Sequence, residues 1–312
     1  MHSPSWARPA RSRVLAALAL AIVGMSCAAP LVRLSTSAPL TIAFWRMLLS
    51  LVAVAIALVA GGSWREWRGV RARDLEWCAA AGGLLALHFW SWNASLRLTS
   101  VAASVVLVSL QPVIVLPLAA RWLNEHTTRE QRSGILVAVC GAAIIAAGDG
   151  VTSLLGGFQS ARALTGDLLA IVGAATGAGY YLIGRRMRAT LSLWPYVAIV
   201  YTSCALVLAL AAGATGAPLW AVEPREFAIF AGLALGPMLL GHTGLNWALG
   251  HAPASLVNVA VLGEPVGATV LAWLLPGIAE RPPWSALLGG GLVLAGLVLT
   301  TRHVGTAGRR TD

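Results

Sequence analysis

Long apolar runs alternate with short polar segments along the whole chain. A helix that crosses a bilayer needs about 20 largely apolar residues. Ten windows fit: 14–33, 39–60, 76–96, 101–121, 133–148, 164–184, 193–213, 227–249, 254–275 and 285–302, the fifth being short. The stretch 149–163, rich in Gly, Ser and Ala, falls between the fifth and sixth windows. It is the expected linker between a first unit, 14–148, and a second, 164–302. The pattern predicts an all-α polytopic membrane protein with ten transmembrane helices.

Composition supports a lipid-embedded bundle. The 312 residues are 58% hydrophobic and 11% charged, with a mean hydropathy of +0.77. Soluble domains carry about 45–50% apolar and about 25% charged residues. Helices suit lipid because they satisfy their own backbone polar groups. The net charge of +10 does not point to nucleic acid, since the arginines cap apolar runs and form no patch interleaved with aromatics. Cys27, Cys78, Cys140 and Cys204 each fall inside an apolar run, with no CxxC or Cys/His cluster, and read as packing residues.

Arg8, Arg11 and Arg13 followed by an apolar run resemble a signal peptide, with Cys27 even suggesting a lipoprotein. Gly24 stands where a lipobox needs a larger aliphatic residue, so a first transmembrane helix is expected. With the N-terminus in the cytoplasm, sixteen arginines fall on the cytoplasmic side and five (Arg33, Arg97, Arg162, Arg225, Arg281) on the other, with Arg46 in a span. The positive-inside rule then places both termini in the cytoplasm. Most tryptophans lie near span ends, as interfacial rings do. Trp45, Trp90, Trp92, Trp247 and Trp273 do not.

One window is doubly interrupted. In "VAVLGEPVGATVLAWLL" (259–275) Glu264 and Pro265 sit side by side at mid-span. A central carboxylate costs about 2.5–3.5 kcal/mol on insertion scales, and proline removes a backbone donor. Sliding the chain by 153 residues places Asn93 on Asn246, Leu96 on Leu249, Pro112 on Pro265 and Gly24 on Gly177. After a two-residue slip, Glu125 meets Glu280, Gly134 meets Gly289 and Gly141 meets Gly296. Five spans per unit is odd, so the second unit must run inverted, an arrangement that recurs in secondary transporters with midplane sites on broken helices. Gln111 precedes Pro112 as Glu264 precedes Pro265.

"LTSVAASVVLVSLQP" (98–112), "TGDLLAIVGAATGAGYYLIGRRMR" (165–188), "EPVGATVLAWLLPGIAERPPWSALLGGGLVLAGLVL" (264–299) and "FWRMLL" (44–49) resemble the EamA family of the drug/metabolite transporter superfamily. The resemblance spans nearly the whole chain. It implies ten helices in two inverted five-helix halves around a central cavity, with small-metabolite export a common activity. "NEHTTREQ" (124–131) departs from the glycine-glutamate usual before the fifth helix, a difference expected to affect a loop. The expected location is the inner membrane of a bacterial cell.

An ionisable group inside a membrane is a functional candidate by default. Glu264 reads as a proton carrier, a partner for a substrate ammonium or a structural partner of an arginine. Arg46 is the natural counter-ion, which must be paired, hydrated or bonded to carbonyls; a structural role is the favoured reading, since near the cytoplasmic half of its helix it could snorkel in part. Asp167 is expected to cap the sixth helix. His88, Trp92 and Ser95 share one face, Trp90, Asn93 and Arg97 a neighbouring one. His242 with Asn246, Ser104 with Gln111, and Thr176 with Tyr180 form further pairs. Each pair is compatible with simple interhelical hydrogen bonding, but their concentration favours a shared polar cavity. The candidate substrate-binding set is Trp90, Trp92, Asn93, Gln111, Tyr180, His242, Asn246 and Glu264. Glu264 is also the candidate ion-coupling group, with Arg46, Pro112 and Pro265 shaping the site. Gly173 and Gly177, and Gly232 and Gly236, are expected close-packing positions.

No metal site or cofactor is expected; the histidines lack ligand partners at the right spacing. No GxxxxGK[ST] loop exists, so energy would come from a gradient. The expected function is secondary transport, with export of a small metabolite or amino-acid-like compound. A membrane enzyme acting on a lipid-linked substrate is the rival, and would need clustered aspartates near an interface; Asp74, Asp149 and Asp167 are isolated. A structural membrane subunit is the third reading, with no need of paired midplane prolines.

Overall fold

The computed structural model describes residues 11–124, 128–154, 158–279 and 284–302, and among these the regular structure is entirely helical. In chain order the helices are α1 (Arg11–Ser26), α2 (Ala28–Leu34), α3 (Pro39–Ala60), α4 (Ala72–Ser95), α5 (Val101–Val108), α6 (Gln111–Trp122) and α7 (Arg129–Leu154). Then come α8 (Phe158–Met187), α9 (Leu193–Thr215), α10 (Pro224–Leu233), a π-helical stretch (Ala234–Thr243), α11 (Gly244–Leu249), α12 (Ala254–Val261), α13 (Glu264–Leu274) and α14 (Trp284–Arg302). A 3-10 turn, Ser63–Gly69, joins α3 to α4.

Among the described residues, seven stretches are long and apolar enough to cross a membrane: Arg11–Leu34, Pro39–Ala60, Val101–Trp122, Arg162–Met187, Leu193–Thr215, Pro224–Leu249 and Ala254–Leu274. The other three expected windows fall on α4, α7 and α14. α4 is less apolar because it carries His88, Ser91, Asn93 and Ser95, all buried in the bundle. α7 reaches Leu154 and α8 starts at Phe158, so helix enters the 149–163 stretch from both sides. Asp167 therefore lies well inside α8 and is not an N-cap. Glu125 and Glu280 lie outside the described residues.

Proline explains where the helices break. Pro112 and Pro265 each stand at the start of a second half-helix, behind interruptions at Ser109–Leu110 and Leu262–Gly263. Lacking an N–H, proline fits a first turn but not a helix interior. Two further breaks fall within single sequence windows. Pro30 crowds the carbonyl four residues back, that of Ser26, and α1 ends there. Pro237 lies in the π-helical stretch, whose wider turn absorbs the lost hydrogen bond.

α7 packs along α14, α4 along α8 and α9, α3 along α9, and α1 along the π-helical stretch. The broken helices cross: α5 meets α13, and α6 meets α12. Glycines permit the closest approaches. A Cβ on Gly141 would strike the carbonyl of Gly289, and one on Gly296 that of Gly134. Gly232 and Gly236 likewise pack within the chain, on Leu31 and on the carbonyl of Gly24.

Candidate functional site

The interrupted helices meet around a narrow buried cavity lined by Met25, Ala28, Arg46, His88, Trp92, Val108, Gln111, Pro237, His242 and Glu264. It leaves only about 10 Å³ for the centre of a water-sized molecule, close to one water's requirement. Glu264 (3% exposed) and Gln111 (2%) occupy the first positions of α13 and α6. The breaks at Pro265 and Pro112 are thus what bring these two polar side chains to the same space.

Arg46 does not snorkel. It is fully buried, and among the described residues its Nε, Nη1 and Nη2 have no hydrogen-bond partner. Its guanidinium lies 4.1 Å from the centre of the Phe89 ring, a cation–π contact. The expectation failed because α3 packs this face against α4, α9 and the π-helical stretch, leaving the side chain no route to an interface. Trp92 Nε1 and Gln111 Oε1 also lack partners. Buried polar atoms are normally satisfied, so these are donors and an acceptor free to act on a ligand.

His88 and His242 face each other with ring centres 6.0 Å apart. His88 Nδ1 lies 2.8 Å from the carbonyl of Gly173. A carbonyl only accepts, so Nδ1 carries a proton there. Gly177 makes room for both neighbours of the cavity wall: a Cβ on it would fall 3.0 Å from Gln111 Nε2 and from His88 Nδ1.

Behind His242 lies a layer formed by all four tyrosines of the chain, each fully buried. Tyr181 Oη pairs with His242 Nδ1 at 3.1 Å, and Tyr201 Oη with Thr243 Oγ1 at 2.9 Å. Asn246 Nδ2 donates to Tyr180 Oη and to the His242 carbonyl. Tyr180 and Asn246 therefore support the cavity from behind and do not line it. Asn93, fully buried, donates to the Pro39 carbonyl at 3.2 Å and ties α4 to α3. Trp90 is 37% exposed, on the opposite side of α4 from Trp92, and drops out of the site. Of the eight candidates, Trp92, Gln111, His242 and Glu264 share the cavity.

Two polar assemblies flank it. At the α2–α3 end, buried Glu226 accepts from the Ser35 hydroxyl, from Thr36 N–H (3.1 Å), and from the Ser37 hydroxyl (2.8 Å) and N–H (3.3 Å). Arg97 locks the same loop by donating to the carbonyls of Ser35 (2.7 Å) and Ser37 (2.9 Å). Sequence reading missed Glu226; the hydroxyl run Ser35-Thr36-Ser37 is its signal, but nothing local pairs residues so far apart. At the α8–α9 end, Arg188 donates to the carbonyls of Asn246 (3.1 Å) and Leu191. Burial lowers the Arg188 pKa to about 10. Arg185 donates to the carbonyl of Leu249 at 2.8 Å, as Arg33 does to that of Leu96.

The chain resembles known proteins along nearly its full length. It is 28% identical over 308 residues to a probable terminal-alkyne amino-acid exporter of Streptantibioticus cattleyicolor, covering 96% of this chain and 97% of that protein. It is 26% identical over 276 residues to an uncharacterized transporter of Archaeoglobus fulgidus, covering 85% and 89%. One crystal structure shares the fold with a TM-score of 0.69 at 20% identity, covering 97% of this chain and 100% of the other. The sequence model of the EamA-like transporter family matches twice, at residues 11–147 and 164–302. This chain is a multi-pass membrane protein that belongs to the EamA-like transporter family.

Proposed function

We propose that this protein is a secondary transporter that exports a small amino-acid-like compound by alternating access to the central cavity. One observation carries the reading: Arg46 and Glu264 share one enclosure, and among the described residues no guanidinium donor of Arg46 has an acceptor. Burying an unpaired charge costs several kcal/mol, a cost retained here for a group that meets a ligand. A zwitterion supplies both complements, its carboxylate to Arg46 and its ammonium to Glu264. With the substrate gone, Glu264 takes a proton, which couples export to an inward proton flow. Trp92 and the two histidines give the remaining wall an aromatic character suited to an apolar side chain. The amino-acid exporter among the relatives fits this reading.

Ten transmembrane helices in two inverted repeats, 14–148 and 164–302, would build the cavity. Partners exchange as inversion requires: α4 with α8 answers α1 with the π-helical stretch, and α6 with α8 answers α13 with α1. Gly141 on Gly289 answers Gly296 on Gly134. Arg33 donates to the Leu96 carbonyl, and Arg185, next to the residue that the offset pairs with Arg33, donates to the equivalent carbonyl of Leu249. Arginine placement puts the α8–α9 end in the cytoplasm, with both termini, at the inner membrane of a bacterial cell. Rocking of the two repeats would open the cavity to one side at a time.

The test compares metabolites retained by cells with and without the protein. The account predicts that an amino-acid-like solute accumulates inside cells lacking it and falls when it is restored. Identical retention of every such solute contradicts the assignment.

A further inference from the structure

A second cavity opens at the α8–α9 end, between the α8–α9 and α11–α12 connections. It measures about 580 Å³ and is lined by Arg185, Arg188, Leu191, Ser192, Leu193, Trp247, Gly250, His251, Ala252 and Pro253. Ligand pockets run about 300–1,000 Å³. The central cavity in this conformation admits about a water, whereas this space fits a substrate-sized molecule. Its lining has a clear chemical bias. Two guanidinium groups, an imidazole and a hydroxyl line it, and among the described residues no carboxylate does. Glu66 accepts from the Ser192 N–H at 3.2 Å and lies close enough to act on the charge of Arg188 without lining the cavity. The same lining holds Leu193 and Trp247, whose ring is tilted against that of His251 with centres 4.4 Å apart.

Taking the transporter reading above as its basis, we propose that this vestibule is a carboxylate-selective docking site that loads the substrate before the central cavity opens. The carboxylate pairs with Arg188 and Arg185, a fork geometry suited to planar anions, and the apolar body rests on Trp247 and Leu193. Docking is wired to the centre. Arg188 donates to the Asn246 carbonyl, and the Asn246 side chain holds Tyr180 and the His242 carbonyl. A carboxylate that draws Arg188 away from Asn246 therefore loosens the tyrosine layer that separates the vestibule from His242. The same carboxylate then meets Arg46, so cations at two depths mark one route.

The experiment uses His251→Cys in the full chain without its four native cysteines, reconstituted in phosphatidylcholine vesicles. His251 is exposed and lines the vestibule. The rate at which a neutral maleimide modifies the introduced thiol is read with benzoate, benzylamine or benzyl alcohol present. The site predicts that benzoate alone slows the reaction, about twofold at half occupancy and further at saturation. Arg185→Gln, measured in the same way, should weaken that protection. Equal protection by all three compounds, or by none, overturns the carboxylate site. An anionic lipid headgroup offers the same chemistry, so a second set of vesicles contains phosphatidylglycerol. If that lipid alone blocks modification at this position and benzoate adds nothing in either set, the vestibule is a lipid site and the proposal falls. Metabolite retention in cells carrying the same variants is scored separately, so export without benzoate protection sinks the docking site alone. Protection without any export sinks the transporter reading on which it rests.

Discussion

Arg46 on α3 and Glu264 at the head of α13 line one buried cavity, yet the Arg46 guanidinium makes no hydrogen bond to Glu264 or to any other described residue. Among the lining residues, these two alone can carry a formal charge when the histidines are neutral. A structural ion pair would close up; a binding site keeps its charges apart for a ligand that carries both signs.

Replacing Arg46 by methionine separates these roles. Methionine removes the buried charge and keeps much of the volume. Replacement of buried charges by apolar residues is often neutral or stabilising by about 1–4 kcal/mol. Arg46→Met should therefore unfold in detergent at the parental temperature or above it while transport is lost. A large loss of thermal stability would mean that Arg46 holds the fold.

Gly177 gives the site its depth. Its missing side chain leaves space for His88 and Gln111, each of which a Cβ would approach to 3.0 Å. Gly177→Ala adds one methyl against two cavity side chains, an overpacking of about 1–3 kcal/mol. It should reach the membrane at normal levels and transport poorly, as read by immunoblot and uptake side by side. Full transport would show that His88 and Gln111 have slack that the packing does not suggest.

Glu226 is expected to act as a latch at the α2–α3 end. It gathers three successive residues, Ser35 to Ser37, while Arg97 holds the same loop by its carbonyls. Removing one member of a buried charged network costs about 3–5 kcal/mol, enough to favour the state open at that end. A single cysteine replacing Trp92, measured with a polar thiol reagent added outside sealed vesicles of known orientation, should react at least tenfold faster in a Glu226→Ala background. An unchanged rate would mean that the cluster only shapes a loop.

The sequence pattern reads these features unevenly, for a physical reason. Pro112 and Pro265 announce their breaks because proline acts through the backbone, wherever its neighbours lie. Gln111 and Glu264 follow from the same signal. Side-chain direction is harder. In a soluble helix the polar face marks the outside, but here lipid and core are both apolar, so periodicity groups residues without saying which group faces inward. Trp90 and Trp92 show the consequence: two positions apart on α4, they point to lipid-exposed and cavity sides respectively. Distance from the helix end suggests snorkelling for Arg46, whereas its burial depends on α4 and α9 packing over it. Glu226 and its loop, or Tyr181 and His242, meet only through tertiary packing, and no local spacing encodes them.

The central claim is that Glu264 both meets the substrate and carries the coupled proton, and Glu264→Gln tests it most directly. Glutamine keeps size and hydrogen bonding, and already stands at the equivalent position, Gln111. The variant should fold and reach the membrane like the parent. The measurement is export of the identified solute from preloaded vesicles as a function of pH, parent beside variant. The account predicts that the variant exports at least tenfold more slowly and that its rate no longer varies with pH. Export at the parental rate with the parental pH profile would contradict it.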